Sequence, residues 1–172
     1  MAKGAATRKQ LLKEPDQFIT FSGKLIAFGR SHLKAILIGT GVVLALLIAV
    51  TIMRQMADRN ENRASEKVEQ VIAGYSAIIR DTDPKTAYER VRSDFTDVFD
   101  AYGATSAVKV ARIVFGDISY HGEDADTAIA MYTQALEDFN HAPALKNIIL
   151  SGLGHAYLLK NEYPEAIRYF ET

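Results

Sequence analysis

Residues 35–53 read AILIGTGVVLALLIAVTIM, nineteen consecutive residues without a charge, bracketed by Lys34 and Arg54. As a helix rising 1.5 Å per residue this run spans roughly 28 Å, close to the ~30 Å hydrocarbon core of a bilayer. It has no polar face, whereas a core helix of a small soluble domain keeps a solvent-facing stripe. A cleaved secretory signal has a shorter apolar region and no thirty-residue lead before it, and small residues follow it where this chain has Arg54. The run is therefore read as an uncleaved signal anchor, one transmembrane helix that leaves residues 54–172 to build a single small water-soluble domain.

Dividing the chain at this run makes its charge informative. Residues 1–34 carry seven basic side chains (Lys3, Arg8, Lys9, Lys13, Lys24, Arg30 and Lys34) against Glu14 and Asp16, a net charge of +5. The whole chain carries −1, so residues 54–172 carry −6. A domain of that sign repels phosphate backbones, which excludes nucleic acid as its partner. The basic tail suits anionic lipid. The chain has no cysteine, which removes disulfides, thiolate zinc sites and cysteine nucleophiles.

Basic residues set membrane orientation, and the tail's seven outnumber Arg54, Arg59, Arg63 and Lys67 on the far side. Counted over the nearest twenty residues alone the figures are three and four. The full count puts the tail in the cytoplasm and the domain outside, which in a bacterium is the periplasm. Before the anchor, Phe18, Ile19, Phe21, Leu25, Ile26, Phe28 and Leu33 interleave with Lys24 and Arg30 after Glu14-Pro15-Asp16. That segment fits an interfacial helix on the cytoplasmic leaflet, or a plain extension of the anchor. Gly41, Ala45 and Ala49 line one face of the span, but glycine and alanine are common in such helices, so the stripe is read as composition.

Past Arg54 the apolar spacing is helical throughout. Val68, Val71, Ile72, Tyr75, Ile78 and Ile79 make one stripe after a polar stretch. Asp83-Pro84 caps the next helix, whose stripe runs Ala87, Tyr88, Val91, Phe95, Val98, Phe99 and Tyr102 before Gly103 stops it. Ser106 opens a helix ending at Gly122, Asp124 or Asp126 caps another through roughly Phe139, Pro143 starts a further one, and Asn161 with Tyr163-Pro164 marks a last turn. No segment alternates with period two, so the expected fold is all-α.

Self-similarity organises these helices. Leu150, Leu153, Gly154 and Tyr157, then Ala166 and Phe170, have the order and spacing of a tetratricopeptide repeat. Phe115-Gly116 followed by Ala128, Tyr132 and Ala135 repeats it, with Gly116 and Gly154, Ala128 and Ala166, and Tyr132 and Phe170 each 38 residues apart. The usual period is about 34, so the link near 141–144 holds about one extra helical turn. Gly116 and Gly154 at the crossing point, with Ala128 and Ala166 opposite, allow two helices close approach, while Tyr157 and Phe170 fill the space beside them. Arg112 and Ser119 depart from the pattern, standing where an apolar residue and a tyrosine are expected, and Tyr120 falls one position late. Residues 68–102 read as an earlier, degenerate pair. Thr172 falls before the second helix of the second repeat is complete, so the repeat is expected to continue beyond it. The domains are thus a tail (1–34), an anchor (35–53), a linker helix with a degenerate pair (54–102) and tetratricopeptide repeats (103–172).

No catalytic constellation stands out. His32, His121, His141 and His155 lack metal-ligand spacing. Glu123, Asp124 and Asp126 lack the glycine and the twelfth-position glutamate of a calcium loop and are read as capping residues. Ser119 is not centred between two glycines as in a nucleophile elbow, and phosphate loops are absent. The expectation is no enzyme, no cofactor and no metal.

The resemblance to tetratricopeptide proteins implies an α-solenoid whose concave groove holds peptides or proteins. By repeat position Ile113, Asp117, Tyr120, His121, Ser151, His155 and Leu158 face that groove, and Gly116, Ala128, Tyr132, Ala135, Leu150, Leu153, Gly154, Tyr157, Ala166 and Phe170 pack the repeat. A basic tail, one anchor and an external repeat domain together resemble the bacterial inner-membrane ancillary subunit of the Sec translocon. That family implies translocon subunits, a periplasmic chaperone and client polypeptides as partners. The alternative is an assembly subunit of another envelope complex, for outer-membrane or cell-wall biogenesis. Alkaline phosphatase fused after Thr172 is expected to be active in a bacterial host. An inactive fusion, with a cytoplasmic reporter active at the same junction, reverses the topology.

Overall fold

The computed structural model describes residues 23, 24, 26–28 and 30–172. The expected helix start at 14–16 and the aromatic cluster at 18–21 lie outside them. Among the described residues the chain is helical with no strand: α1 (Leu33–Ile78), α2 (Pro84–Tyr102), α3 (Ser106–His121), α4 (Ala125–Asp138), α5 (Pro143–Leu159) and α6 (Tyr163–Phe170). Two compact units divide between Arg54 and Gln55.

Helix α1 is long and apolar enough to cross a membrane, and none of its most apolar window is buried. That exposure differs from a core helix of a soluble domain, whose apolar side chains are mostly covered by its own chain. Thr51 donates its hydroxyl to the Leu47 carbonyl at 2.8 Å, so the polar atom is satisfied within the helix.

In the second unit the termini are fixed by caps. Asp83 accepts from the Thr86 N–H at 3.0 Å ahead of Pro84, and Asp124 accepts from the Thr127 N–H at 3.0 Å. Asp124 also accepts from the Tyr88 hydroxyl at 2.6 Å, tying α2 to the α3–α4 turn. Burial opposes ionisation of Asp124, but the hydrogen bonds from Tyr88 and Thr127 outweigh it and hold the carboxyl below its ordinary value. Helix α3 is capped by Thr105, and its first two N–H groups, of Ser106 and Ala107, donate to both oxygens of Glu61 at 2.9 and 2.8 Å. A carboxylate on α1 thus neutralises the positive end of a helix 45 residues away in sequence.

The turns after α3 and α5 are the same turn. Glu123 and Asn161, 38 residues apart, both adopt φ of 63°. Asp124 N–H reaches the Ser119 carbonyl at 2.9 Å, and Glu162 N–H reaches that of Tyr157 at 3.0 Å, the six-to-one bond that closes a helix on a left-handed residue. Three-residue links of this kind fold each helix back onto its predecessor, and α2 to α6 pack sequentially, with α3 also touching α5.

Aromatic rings fill the space that glycines leave. A Cβ on Gly116 would lie 3.0 Å from the Tyr132 ring, and one on Gly154 would lie 2.5 Å from the Phe170 ring. These are corresponding contacts of the two 38-residue units. Gly152 of α5 also closes on Tyr132, where a Cβ would come within 2.5 Å of Cζ. Ala128, Ala135, Ile149, Leu153 and Ala156 complete this core. A second core joins Tyr88, Val91 and Phe95 of α2 to Phe115 and Ile118 of α3, with Val71, Ile72 and Tyr75 of α1 against it.

The two departures from the repeat pattern have local reasons. Arg112 pairs with the Asp138 carboxylate of α4 and donates to the Gly103 carbonyl at 3.1 Å, so it bonds where the pattern has an apolar contact. Ser119 is fully buried and donates to the Phe115 carbonyl at 2.7 Å.

Gly152→Ala is expected to destabilise the domain by about 1–3 kcal/mol, because the added methyl would meet the ring of Tyr132, which is buried and already packed closely against Gly116. Gly74→Ala in α1, whose added methyl meets nothing within 4 Å, is expected to stabilise it by about 0.5–1 kcal/mol. Urea melts of the two variants check both signs.

Candidate protein-binding surface

The candidate groove residues lie on α3 and α5, which touch each other. Helical spacing sets Ile113, Asp117, Tyr120 and His121 along one face of α3, and Ser151, His155 and Leu158 along the corresponding face of α5. Asp117, His121, Ser151, His155 and Leu158 are exposed. Ile113 and Tyr120 are half-buried and pack against the α4–α5 core, so they form the floor of this face.

Rings link the two helices. Tyr120 lies 5.2 Å from the His121 ring and 6.0 Å from the His155 ring, and His155 stands edge-on to Phe170 of α6 at 5.2 Å. His121 Nε2 is 3.6 Å from an Asp117 carboxylate oxygen, an exposed i,i+4 pair whose strength depends on imidazole protonation. On α1, burial and then the nearby Asp117 charge push the Tyr75 hydroxyl above its ordinary pKa. The face is therefore aromatic and apolar, with one carboxylate and two imidazoles.

Two members of this face were missed by the sequence reading. Val110 and Ile148 stand one turn ahead of Ile113 and Ser151 and are 49% and 57% exposed. They too are 38 residues apart, and projecting the repeat offset onto Val110 would have found them.

The repeat-packing residues divide by environment. Gly116, Ala128, Tyr132, Ala135, Leu150, Leu153, Gly154 and Ala166 are buried, Tyr157 is half-buried against Tyr169 with rings 5.3 Å apart, and Phe170 is exposed. Burial is the first reason that the Tyr132 hydroxyl is pushed far above its ordinary pKa. A separate open cleft of about 570 Å³ lies between α1 and α2, with Lys67, Gln70, Asp94 and Asp97 at its edge. Among the described residues no group of three or more His, Asp or Glu is placed to hold a metal ion.

Val110→Ser and Ile148→Ser are expected to change stability by less than about 0.5 kcal/mol, since both side chains stand in solvent. Ile113→Ser, which removes packing from the core, is expected to lower it by about 2 kcal/mol. Thermal melts of the three variants separate the free members of the face from its floor. The chain matches no protein-family model, no curated protein and no solved structure.

Proposed function

We propose that the chain is a membrane-anchored scaffold that binds proteins through the α3–α5 face and has no catalytic role. In this reading the helix pairs are tetratricopeptide-like units of an α-solenoid, and the face is its concave groove. The observation that carries it is the duplicated exposure of apolar side chains: Val110 and Ile148 occupy corresponding places on two touching helices. An isolated exposed valine is ordinary, but a matched pair beside Asp117, His121 and His155 is a patch that a partner can cover.

The apolar part of α1 supplies the anchor, and its length and uncovered surface support a single crossing. With the basic tail in the cytoplasm the helical domain stands in the periplasm of a bacterial inner membrane. Its place there is beside the Sec translocon and periplasmic chaperones, where newly translocated polypeptides need a transient hold.

A photoreactive side chain placed at Ile148 or His155 in growing cells tests this reading. Translocon subunits or a periplasmic chaperone are the expected crosslinks, and Val110→Asp is expected to reduce their yield several-fold. Recovery of outer-membrane or cell-wall assembly components at the same positions replaces the translocon assignment with another envelope complex. Crosslinks only from the opposite face of α3 and α5 would remove the groove itself.

A further inference from the structure

We infer that Asp117 sets the specificity of the α3–α5 face, selecting extended polypeptide segments that carry a lysine or arginine near their aliphatic residues. The inference rests on the protein-binding role proposed above for this face and names the chemistry of what binds there.

The 38-residue offset separates what the two units share from what they do not. Val110 maps onto Ile148 and both stand exposed, so the apolar anchors are duplicated. An anchor present twice favours neither direction of a bound chain. Asp117 maps onto His155, so the position two turns beyond each anchor carries a carboxylate in one unit and an imidazole in the other. Charge is therefore where the two halves of the face differ.

The cations of these helices are engaged elsewhere. Lys109 and Arg112 of α3 both pair with Asp138 of α4, and Lys160, just past α5, pairs with Asp126 and Glu162. Lys146 lies about half a turn around α5 from His155, which sets it on the opposite side of that helix. Among the described residues Asp117 pairs with the exposed His121 imidazole alone, at 3.6 Å, and that ring bears charge only when protonated. The carboxylate is thus left to attract a cation from outside.

Its surroundings suit one. Tyr120 and His121 stand one turn from Asp117 along α3 with rings 5.2 Å apart. After burial, the Asp117 charge is the next cause that raises the hydroxyls of Tyr75 on α1 and Tyr132 on α4, so two further tyrosines lie within its field. A carboxylate bordered by aromatic rings takes an ammonium or guanidinium group by ion pairing and by attraction to the ring faces, and it repels an acidic side chain. From Val110 to Asp117 is about 10 Å along the helix, a distance that an extended chain covers in about three residues. The matching segment has its cation about three residues from an aliphatic side chain.

The probe is a short synthetic peptide with two leucines and a lysine in a glycine and serine background, the lysine three residues from one leucine. Copies carry norleucine or glutamate in place of the lysine. Each is titrated calorimetrically against the full chain in nanodiscs of zwitterionic lipid, which adds no net charge of its own. The lysine peptide is expected to bind at least fivefold more tightly than the norleucine peptide, and the glutamate peptide more weakly than either. Asp117→Asn is expected to erase the lysine preference and Asp117→Lys to reverse it, with unchanged circular dichroism because this side chain stands in solvent. Asp97→Lys, at the α1–α2 cleft, makes the same change in net charge away from the face and is expected to leave the preference intact. Equal binding of the three peptides, a preference that survives Asp117→Lys, or one that Asp97→Lys reverses as well overturns the inference. If such binding is still abolished by Val110→Ser combined with Ile148→Ser, the face itself stands without it. Binding of none of the peptides removes the face and the inference together.

Discussion

An aromatic ring lying against a glycine is the contact on which the helical domain depends. Tyr132 over Gly116 and Phe170 over Gly154 hold the two helices of each unit close, at a separation where a Cβ would be tight at Gly116 and would collide with the ring at Gly154. This close approach brings Ala128 and Ala166 into full burial and maximises dispersion contact between backbones that have little side chain to offer. Each ring then projects beyond its own pair. Tyr132 does so against Gly152, so the residue that joins two helices also seats a third.

Polar groups fix what apolar packing leaves free. The matched six-to-one turns at Asp124 and Glu162 set the angle at which the chain doubles back, and they do so with Glu123 and Asn161 in a conformation more usual for glycine. Glu61 fastens α1 to the start of α3 through charge-assisted bonds, while Val68 and Ile72 pack beside Val108 and Ala111. Arg112 links the end of α2, the middle of α3 and the end of α4 through Gly103 and Asp138. In consequence α3 is held on several sides, which suits a helix whose remaining face carries Val110, Asp117 and His121.

The sequence was most legible where a local period governs the structure. The apolar stretch, the caps at Asp83 and Asp124 and the 38-residue recurrence of small and aromatic residues all follow from spacing, because helix geometry converts spacing directly into a face. Contacts between elements were less legible. Nothing in a polar stretch singles out Glu61 as the cap of a helix 45 residues downstream, since its partners are backbone groups that carry no side-chain signal. Arg112 showed as a departure from the repeat, but its reason lies in Asp138, outside any repeat position. Gly152 was hidden because the pattern places its glycine at 154, and only the packed ring of Tyr132 shows why a second is needed. Phe170 was legible as a position and not as an environment, because burial depends on what lies above it.

The most direct measurement of this account is the set of proton–proton nuclear Overhauser contacts made by the Tyr132 ring in the full chain. Contacts from the ring to the Hα protons of both Gly116 and Gly152, with matching contacts from Phe170 to Gly154, are the predicted result. A Tyr132 ring in contact with solvent and with neither glycine would contradict the nested arrangement from which the proposed groove is drawn.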